Sequence, residues 1–328
     1  MAHVSDLPGP LAGRVRDRGS GRGRGRGRRD DLRALLWLSP WIVGFAVFFL
    51  YPLLATVYFS FQRYDMFTLE PVGLLNYRYF MEDEAAWRAI RNTLWLVVIM
   101  VPLRVLFGLG VAQLVTRLKA GVGVFRTIFY LPSLVPVVAG TLGFVYLLNP
   151  GTGPVQAILS AVGIPSPDWF GDPAWSKWGL TMLALWSVGD LMVIFLAALL
   201  DVPKQLYEAA AIDGAGAWQR FYRITLPVIR PVVMFAAVTG VIQALQYFTQ
   251  AMIAARVASG STDSAGSVFT PGYPDQSTLT FPEWLYHQGF RDFAMGYACV
   301  LALVLFAVSM MFTLVLLRQF RGFAEEEA

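Results

Sequence analysis

Behind a polar N-terminal stretch, long apolar runs alternate with short polar ones along the whole chain. Six runs stand out, at 34–60, 93–116, 126–148, 178–200, 229–253 and 293–317. Each is near the roughly 20 residues a helix needs to cross a hydrocarbon core about 30 Å thick. Backbone N–H and C=O groups in lipid need internal partners, which only helices or closed barrels supply, and these runs lack the period-two alternation of barrel strands. The pattern predicts an all-α polytopic membrane protein with six transmembrane helices in a domain spanning 34–320. Pro40, Pro52, Pro102, Pro132 and Pro136 fall inside the runs and predict kinks.

Composition agrees: 56% of the residues are hydrophobic and 15% charged, where soluble domains carry about a quarter charged. Residues 1–33 are polar, with Gly21–Arg29 reading GRGRGRGRR, too poor in apolar surface to order, so a disordered basic cytoplasmic tail is expected. A solvated tail, rather than a nucleic-acid contact, accounts for it. The basic residues then orient the helices. Arg117, Lys119, Arg126, Lys204, Arg220, Arg223, Arg230, Arg318 and Arg321 fall on the tail's side, and fewer fall on the other over longer loops. Both termini, including the short tail 321–328, are therefore expected inside. Trp87, Trp169, Trp175, Trp178 and Trp284 near the outer helix ends suit the headgroup zone. The longest outer segment, 254–292, is rich in Ser, Gly, Thr and Pro and reads as an exposed loop without a core of its own.

Much chemistry is excluded. Cys299 is the single cysteine, and His3 and His287 are the only histidines, so neither a disulfide nor a metal centre is expected. No glycine-framed phosphate-cradling motif surrounds Lys119, Lys177 or Lys204, so no ATP site of that kind is expected here.

One inner segment, 201–230, is too long for a turn. Lys204 to Asp213 suits a short helix whose Ala209, Ala210 and Ala211 let another surface approach closely. Gly214, with Ala215 and Gly216 behind it, suits a sharp reversal. Trp218, Phe221, Tyr222, Ile224 and Leu226 then give a second helix an apolar face, and Pro227 restarts the chain into the fifth span. Glu208, Ala209, Ala210, Gly214, Ile224, Leu226 and Pro227 carry a spacing that resembles the EAA loop of ABC importer permeases. Ser60 to Phe80, with Gly73, Leu74, Asn76 and Tyr77, is similar to the first outer loop of the carbohydrate-uptake branch, the first permease type of maltose, trehalose and glycerol-3-phosphate systems. Gln288 to Phe293 and Met295 to Tyr297 resemble the entry to that branch's last span.

The resemblance implies a type I importer permease. It implies that Glu208 to Gly214, including Asp213, is a coupling helix transmitting motion from an ATPase, present in two copies, which holds ATP and Mg in place of any cofactor on this chain. It also implies a second similar permease, an extracellular or periplasmic substrate-binding protein, and a carbohydrate such as trehalose or maltose carried across a prokaryotic inner membrane.

Polar groups inside the spans are candidate pathway residues. Thr239, Gln243, Gln246 and Gln250 recur at helical spacing with Tyr247 beside them, and Ser187 and Asp190 lie three apart next to Trp186. Amides, a carboxylate and aromatic faces suit a hydroxyl-rich sugar; the same groups can also join helices. Arg104 either pairs with a carboxylate such as Asp190 or snorkels. With either residue coupling an ion, a secondary transporter for a polar solute is the alternative class.

Overall fold

The structure, a computed structural model, describes residues 36–118, 120–260 and 270–325. The predicted tail 1–33, Lys119, Ser261, Thr262 and residues 326–328 lie outside them. The chain divides into two compact units, Met1–Ala55 and Thr56–Ala328. The described part of the first is the beginning of helix α1 (Leu36–Ser60). In the second, a two-stranded antiparallel ribbon follows α1, with β1 (Gln62–Tyr64) paired to β2 (Leu69–Pro71) so that Arg63 faces Glu70.

Among the described residues four helices are single, apolar and long enough to span: α1, α3 (Glu84–Thr116), α10 (Ala217–Leu245) and the last, α13, which runs from Met295 to Glu325. Two further helix pairs reach spanning length and hydropathy only when each pair is taken together as one bent span. Helices α4 (Val122–Leu134) and α5 (Val137–Leu147) meet at 105°, and α7 (Ser176–Trp186) and α8 (Gly189–Leu200) at 51°. Short helices α2 (Leu75–Glu82), α6 (Pro154–Ala161), α9 (Lys204–Ile212), α11 (Thr249–Ala258) and α12 (Phe281–Tyr286) fill the connections.

The prolines act less uniformly than predicted. Only the Pro132–Pro136 pair breaks a helix, and Val135 before Pro136 takes the extended conformation (ψ 132°) that proline imposes on its predecessor. Pro52, Pro102 and Pro227 each follow a five-residue wide turn, at Ala46–Leu50, Leu96–Met100 and Phe221–Thr225. The wider turn makes room around the carbonyl that the proline ring would otherwise strike, so these helices continue. Pro227 therefore does not restart the chain: the predicted second helix of the inner segment is the first part of α10 itself. The predicted fifth span, 229–253, conversely is not one helix, since α10 ends at Leu245 and α11 begins at Thr249.

The main core lies where α3, α7, α8 and α10 meet, around Leu96, Leu180, Met192, Phe195, Ile229 and Leu245. Missing side chains let the helices close up. A Cβ on Gly240 would sit 2.9 Å from Val101 Cγ1 and one on Gly108 3.1 Å from Val188 Cγ2, which draws α10 and α8 onto α3.

The expectation that 254–292 is an exposed loop fails for both of its described parts: Ala254 and Ala255 are buried in α11, and the stretch from residue 270 onward packs as well. Leu279 and Phe281 are buried in a second core with Phe80, Ala86, Ala89, Tyr297, Val300 and Leu301. Several polar groups there are tied into neighbouring helices. Asn92 donates to Gln276 O and Leu279 O (2.8 and 3.0 Å), Thr93 accepts from Phe281 N–H (2.9 Å), and Ser176 and Ser277 share a 2.7 Å bond. Glu283, 2% exposed, accepts the Gly272 N–H at 3.1 Å. Asp83 caps α3 and accepts from Trp284 Nε1 (2.8 Å) and the Tyr297 hydroxyl, joining α3, α12 and α13. Residues 270–286 are thus a packed plug across one end of the helices.

Candidate functional site

Three interruptions in the helices converge on one cavity of ≈ 620 Å³. Tyr130, Ser133 and Val135 reach it from the α4–α5 break, Trp186, Ser187 and Asp190 from the α7–α8 break, and Gln246, Tyr247 and Gln250 from the break after α10. Thr239 and Gln243 of α10 and Arg104 of α3 complete the wall. Backbone that leaves helical geometry at membrane depth is tolerated where it is buried in protein or lines a cavity, and all three breaks do so here. Gly189 permits the closest of these approaches, since a Cβ there would lie 2.3 Å from Phe129 O and 2.6 Å from Tyr130 Cα.

Arg104 organises the polar side of the cavity. Its Nη2 lies 3.2 and 3.3 Å from the two Asp190 oxygens, and its Nη1 donates to Gln243 Oε1 at 2.6 Å. It therefore pairs rather than snorkels, and one guanidinium ties α3, α8 and α10 together. The arginine side chain is 18% exposed and the aspartate 49%, so the carboxylate is the member of the pair that faces open space. The pairing offsets both charges.

Every residue predicted to line a pathway borders this cavity, but not through the geometry expected. Ser187 ends α7, its hydroxyl turned back on Leu183 O and Ala184 O, and Asp190 stands beyond the break in the first turn of α8. Gln250 belongs to a different helix from Gln243. Thr239 donates back to Phe235 O at 2.8 Å, and Tyr247 is buried with its hydroxyl toward Leu180 O at 3.4 Å. Gln246 makes no side-chain hydrogen bond among the described residues. Trp186 packs against Phe144 with centroids 5.6 Å apart and stays 36% exposed, leaving an aromatic face open. Sequence reasoning missed Tyr130 and Ser133; the nearby Pro132–Pro136 pair was the available signal, because a broken span marks a cavity wall.

The inner segment forms a separate feature. Helix α9 ends at Asp213 in a closed turn: Gly214 takes φ +75°, its N–H bonds Ala211 O at 3.2 Å, and Ala215 N–H bonds Ala210 O at 2.9 Å. This pairing, with a left-handed residue after the cap, is the Schellman motif that ends many helices. None of α9 is buried: Glu208, Ala209 and Ala211 are exposed and Ala210 is half-buried. Ile212 is 88% and Trp218 74% exposed, an apolar edge beside the turn. Tyr207 and Thr225 hydroxyls 2.8 Å apart anchor α9 to α10, while Ile224 and Leu226 are half-buried and Pro227 is exposed.

A helical bundle with helix breaks around a cavity that has one polar side, and a projecting small-residue helix at one end, defines a membrane permease. The chain belongs to the binding-protein-dependent transport system inner membrane component family, whose model matches residues 104–321. A probable ABC transporter permease protein of Bacillus subtilis, YesP, is 34% identical over 88% of this chain and 91% of its own length. The lactose transport system permease protein LacF of Rhizobium radiobacter is 30% identical over 84% and 89%. Among solved structures, a bacterial ABC transporter involved in the import of the acidic polysaccharide alginate superposes with a TM-score of 0.76, covering 90% of this chain and 98% of that one at 22% identity. The fold is that of a type I ABC importer permease.

Proposed function

We propose that this chain is one of two permease subunits of an ATP-driven importer, and that it moves a di- or oligosaccharide delivered by an extracytoplasmic binding protein. The observation that carries the reading is the cavity at the helix breaks. An internally neutralised Arg104–Asp190 pair, unpartnered amides and the open face of Trp186 suit an uncharged, hydroxyl-rich ligand. Relatives favour the same class, since they include permease proteins of lactose, arabinooligosaccharide, diacetylchitobiose and trehalose/maltose systems. Trehalose and maltose are two members of that set, with no residue here favouring them over the rest.

In this reading Glu208 to Gly214 docks on an ATPase, its alanines allowing close approach and Ile212 and Trp218 supplying apolar contact. ATP and Mg belong to that partner. The secondary-transporter alternative loses ground because Asp190 already has a cationic partner. The test is uptake into vesicles carrying the complete system, with labelled lactose, arabinotriose, diacetylchitobiose and trehalose offered in turn. Uptake that needs ATP hydrolysis and the binding protein is expected for at least one. Uptake driven by an ion gradient without ATP, or of none of the four, would sink it.

A further inference from the structure

A second cavity of ≈ 700 Å³ lies between β1, α2 and the start of α13. The spans alternate in direction along the chain, so this cavity and the coupling segment sit at opposite ends of the bundle. Gly296 fixes its base: a Cβ there would lie 2.0 Å from Gln62 O, so only glycine lets α13 begin against β1. Asn76 holds the adjoining wall by donating to Ser60 O and Gln62 O, both at 2.9 Å.

The charges in this cavity are arranged unusually. Arg63 and Arg78 line it together with Asp65, Glu82 and Asp292, yet neither arginine forms an ion pair among the described residues. Asp65 accepts all three of its hydrogen bonds, from Phe67 N, Thr68 N and the Thr68 hydroxyl, on Oδ1, leaving Oδ2 unbonded. Asp292 likewise receives Gln288 Nε2 and faces His287 Nδ1 through Oδ2 alone. Opposite charges held apart around a hollow repel a ligand of either single sign at one wall or the other. A neutral molecule with many hydroxyls satisfies both kinds of wall at once, donating to carboxylates and accepting from guanidinium groups. Tyr64 and Tyr79, also in the lining, add aromatic faces for the C–H side of a sugar ring. The volume lies within the range of small-ligand pockets, about 300–1,000 Å³.

We infer that this cavity is a second saccharide site, holding one or two sugar rings at the end of the bundle where the substrate enters. The inference rests on the carbohydrate reading above, and names a binding site separate from the cavity at the helix breaks.

Arginine footprinting tests it without altering the protein. Full-length permease with its partner subunit in nanodiscs is treated with phenylglyoxal, with and without lactose, arabinotriose, diacetylchitobiose or trehalose, and each arginine is read by mass spectrometry. The saccharide that the complete system takes up should slow modification of Arg63 and Arg78 about threefold at twice its dissociation constant. Arg291, exposed and outside the lining, should be unchanged. A saccharide that is taken up but leaves Arg63 and Arg78 unprotected overturns the site and leaves the carbohydrate reading intact. Uptake of none of the four removes that reading, whatever the footprint shows. Equal protection by inorganic phosphate makes the cavity an anion site, and protection by unloaded binding protein alone makes it a protein contact; either result overturns the inference.

Discussion

Arg104 and Asp190, 86 residues apart in sequence, meet at 3.2 Å across the cavity wall and convert two isolated membrane charges into one neutral pair. Removing either partner leaves an uncompensated charge, whereas removing both leaves two small polar gaps. Arg104→Gln and Asp190→Asn should each lower stability by about 1–3 kcal/mol, less than the roughly 3–5 kcal/mol for breaking a fully buried pair, because Asp190 is half open to the cavity. The double variant should be less damaged than the sum of the singles. Additive losses in thermal unfolding of the purified permease would show that the pair contributes nothing as a unit.

How much of this was legible in the sequence follows from the range of each interaction. The turn at Gly214 was readable because its cause is local, a glycine three residues past a run of alanines, and it folds as expected. The spans were readable because lipid demands long apolar runs. The Arg104–Gln243 bond joins positions 139 residues apart, which no local pattern encodes. The break after Leu245 was hidden because the apolar run continues through it. Residues 270–281 misled for a different reason: Ser, Thr and Pro read as exposed, but backbone groups of Gln276, Leu279 and Phe281 are bonded by Asn92 and Thr93, and the Ser277 hydroxyl by Ser176, on distant helices, which lets the segment be buried.

The Gly214 turn separates conformational strain from steric clash. A Cβ there meets nothing within 4 Å, so a substitution is disfavoured by its φ of +75° alone. Gly214→Val should weaken the turn by about 1–2 kcal/mol, and Gly214→Asn, which tolerates left-handed geometry, by less. In the complete transporter, Gly214→Val should depress uptake and transport-linked ATP hydrolysis while membrane insertion is unchanged. Normal uptake by the valine variant would remove the coupling role from this segment.

Glu283 should make the plug sensitive to pH. Burial pushes its carboxyl up to about 7 from 4.5, against the opposing pull of the Gly272 and Thr280 backbone and of Arg256. An acid raised on folding stabilises the fold relative to the unfolded chain below pH 4.5, where both states are protonated. That advantage fades as pH rises toward 7, because the unfolded chain ionises first. Between pH 4.5 and 7 the difference amounts to about 3 kcal/mol at 1.36 kcal/mol per unit. Hydrogen exchange across 270–286 should therefore be faster at pH 8 than at pH 5 after correction for the intrinsic rate. Glu283→Gln should flatten that dependence; an unchanged profile would mean that Glu283 does not set it.

Orientation is open to a direct check. In a Cys299→Ser background, Gln205→Cys should react with a membrane-impermeant thiol reagent only from the inside, and Asp275→Cys only from the outside, both positions being exposed. The reverse pattern would invert the topology, and with it the assignment of α9 to ATPase coupling.

The cavity residues divide by what they already do, and this separates ligand contact from helix joining. Gln243 gives its amide oxygen to Arg104 at 2.6 Å, so Gln243→Ala should harm the bundle as well as transport. Gln246 lines the same cavity with no side-chain hydrogen bond among the described residues, so its amide is free for a ligand. Losing one hydrogen bond to a desolvated sugar hydroxyl leaves the opposing group unpaired, at a cost of about 1–3 kcal/mol. Gln246→Ala should accordingly raise the substrate concentration needed for half-maximal uptake by roughly 5- to 150-fold, with thermal stability unchanged. Trp186→Leu should act in the same direction by removing the open aromatic face, although its packing on Phe144 predicts some loss of stability as well. Stimulation of ATP hydrolysis by the loaded binding protein supplies the control, because an altered cavity leaves α9, the proposed coupling helix, in place. If Gln246→Ala transports with unaltered affinity while Gln243→Ala merely unfolds more readily, the glutamines join helices and the ligand contacts lie on other walls of the cavity.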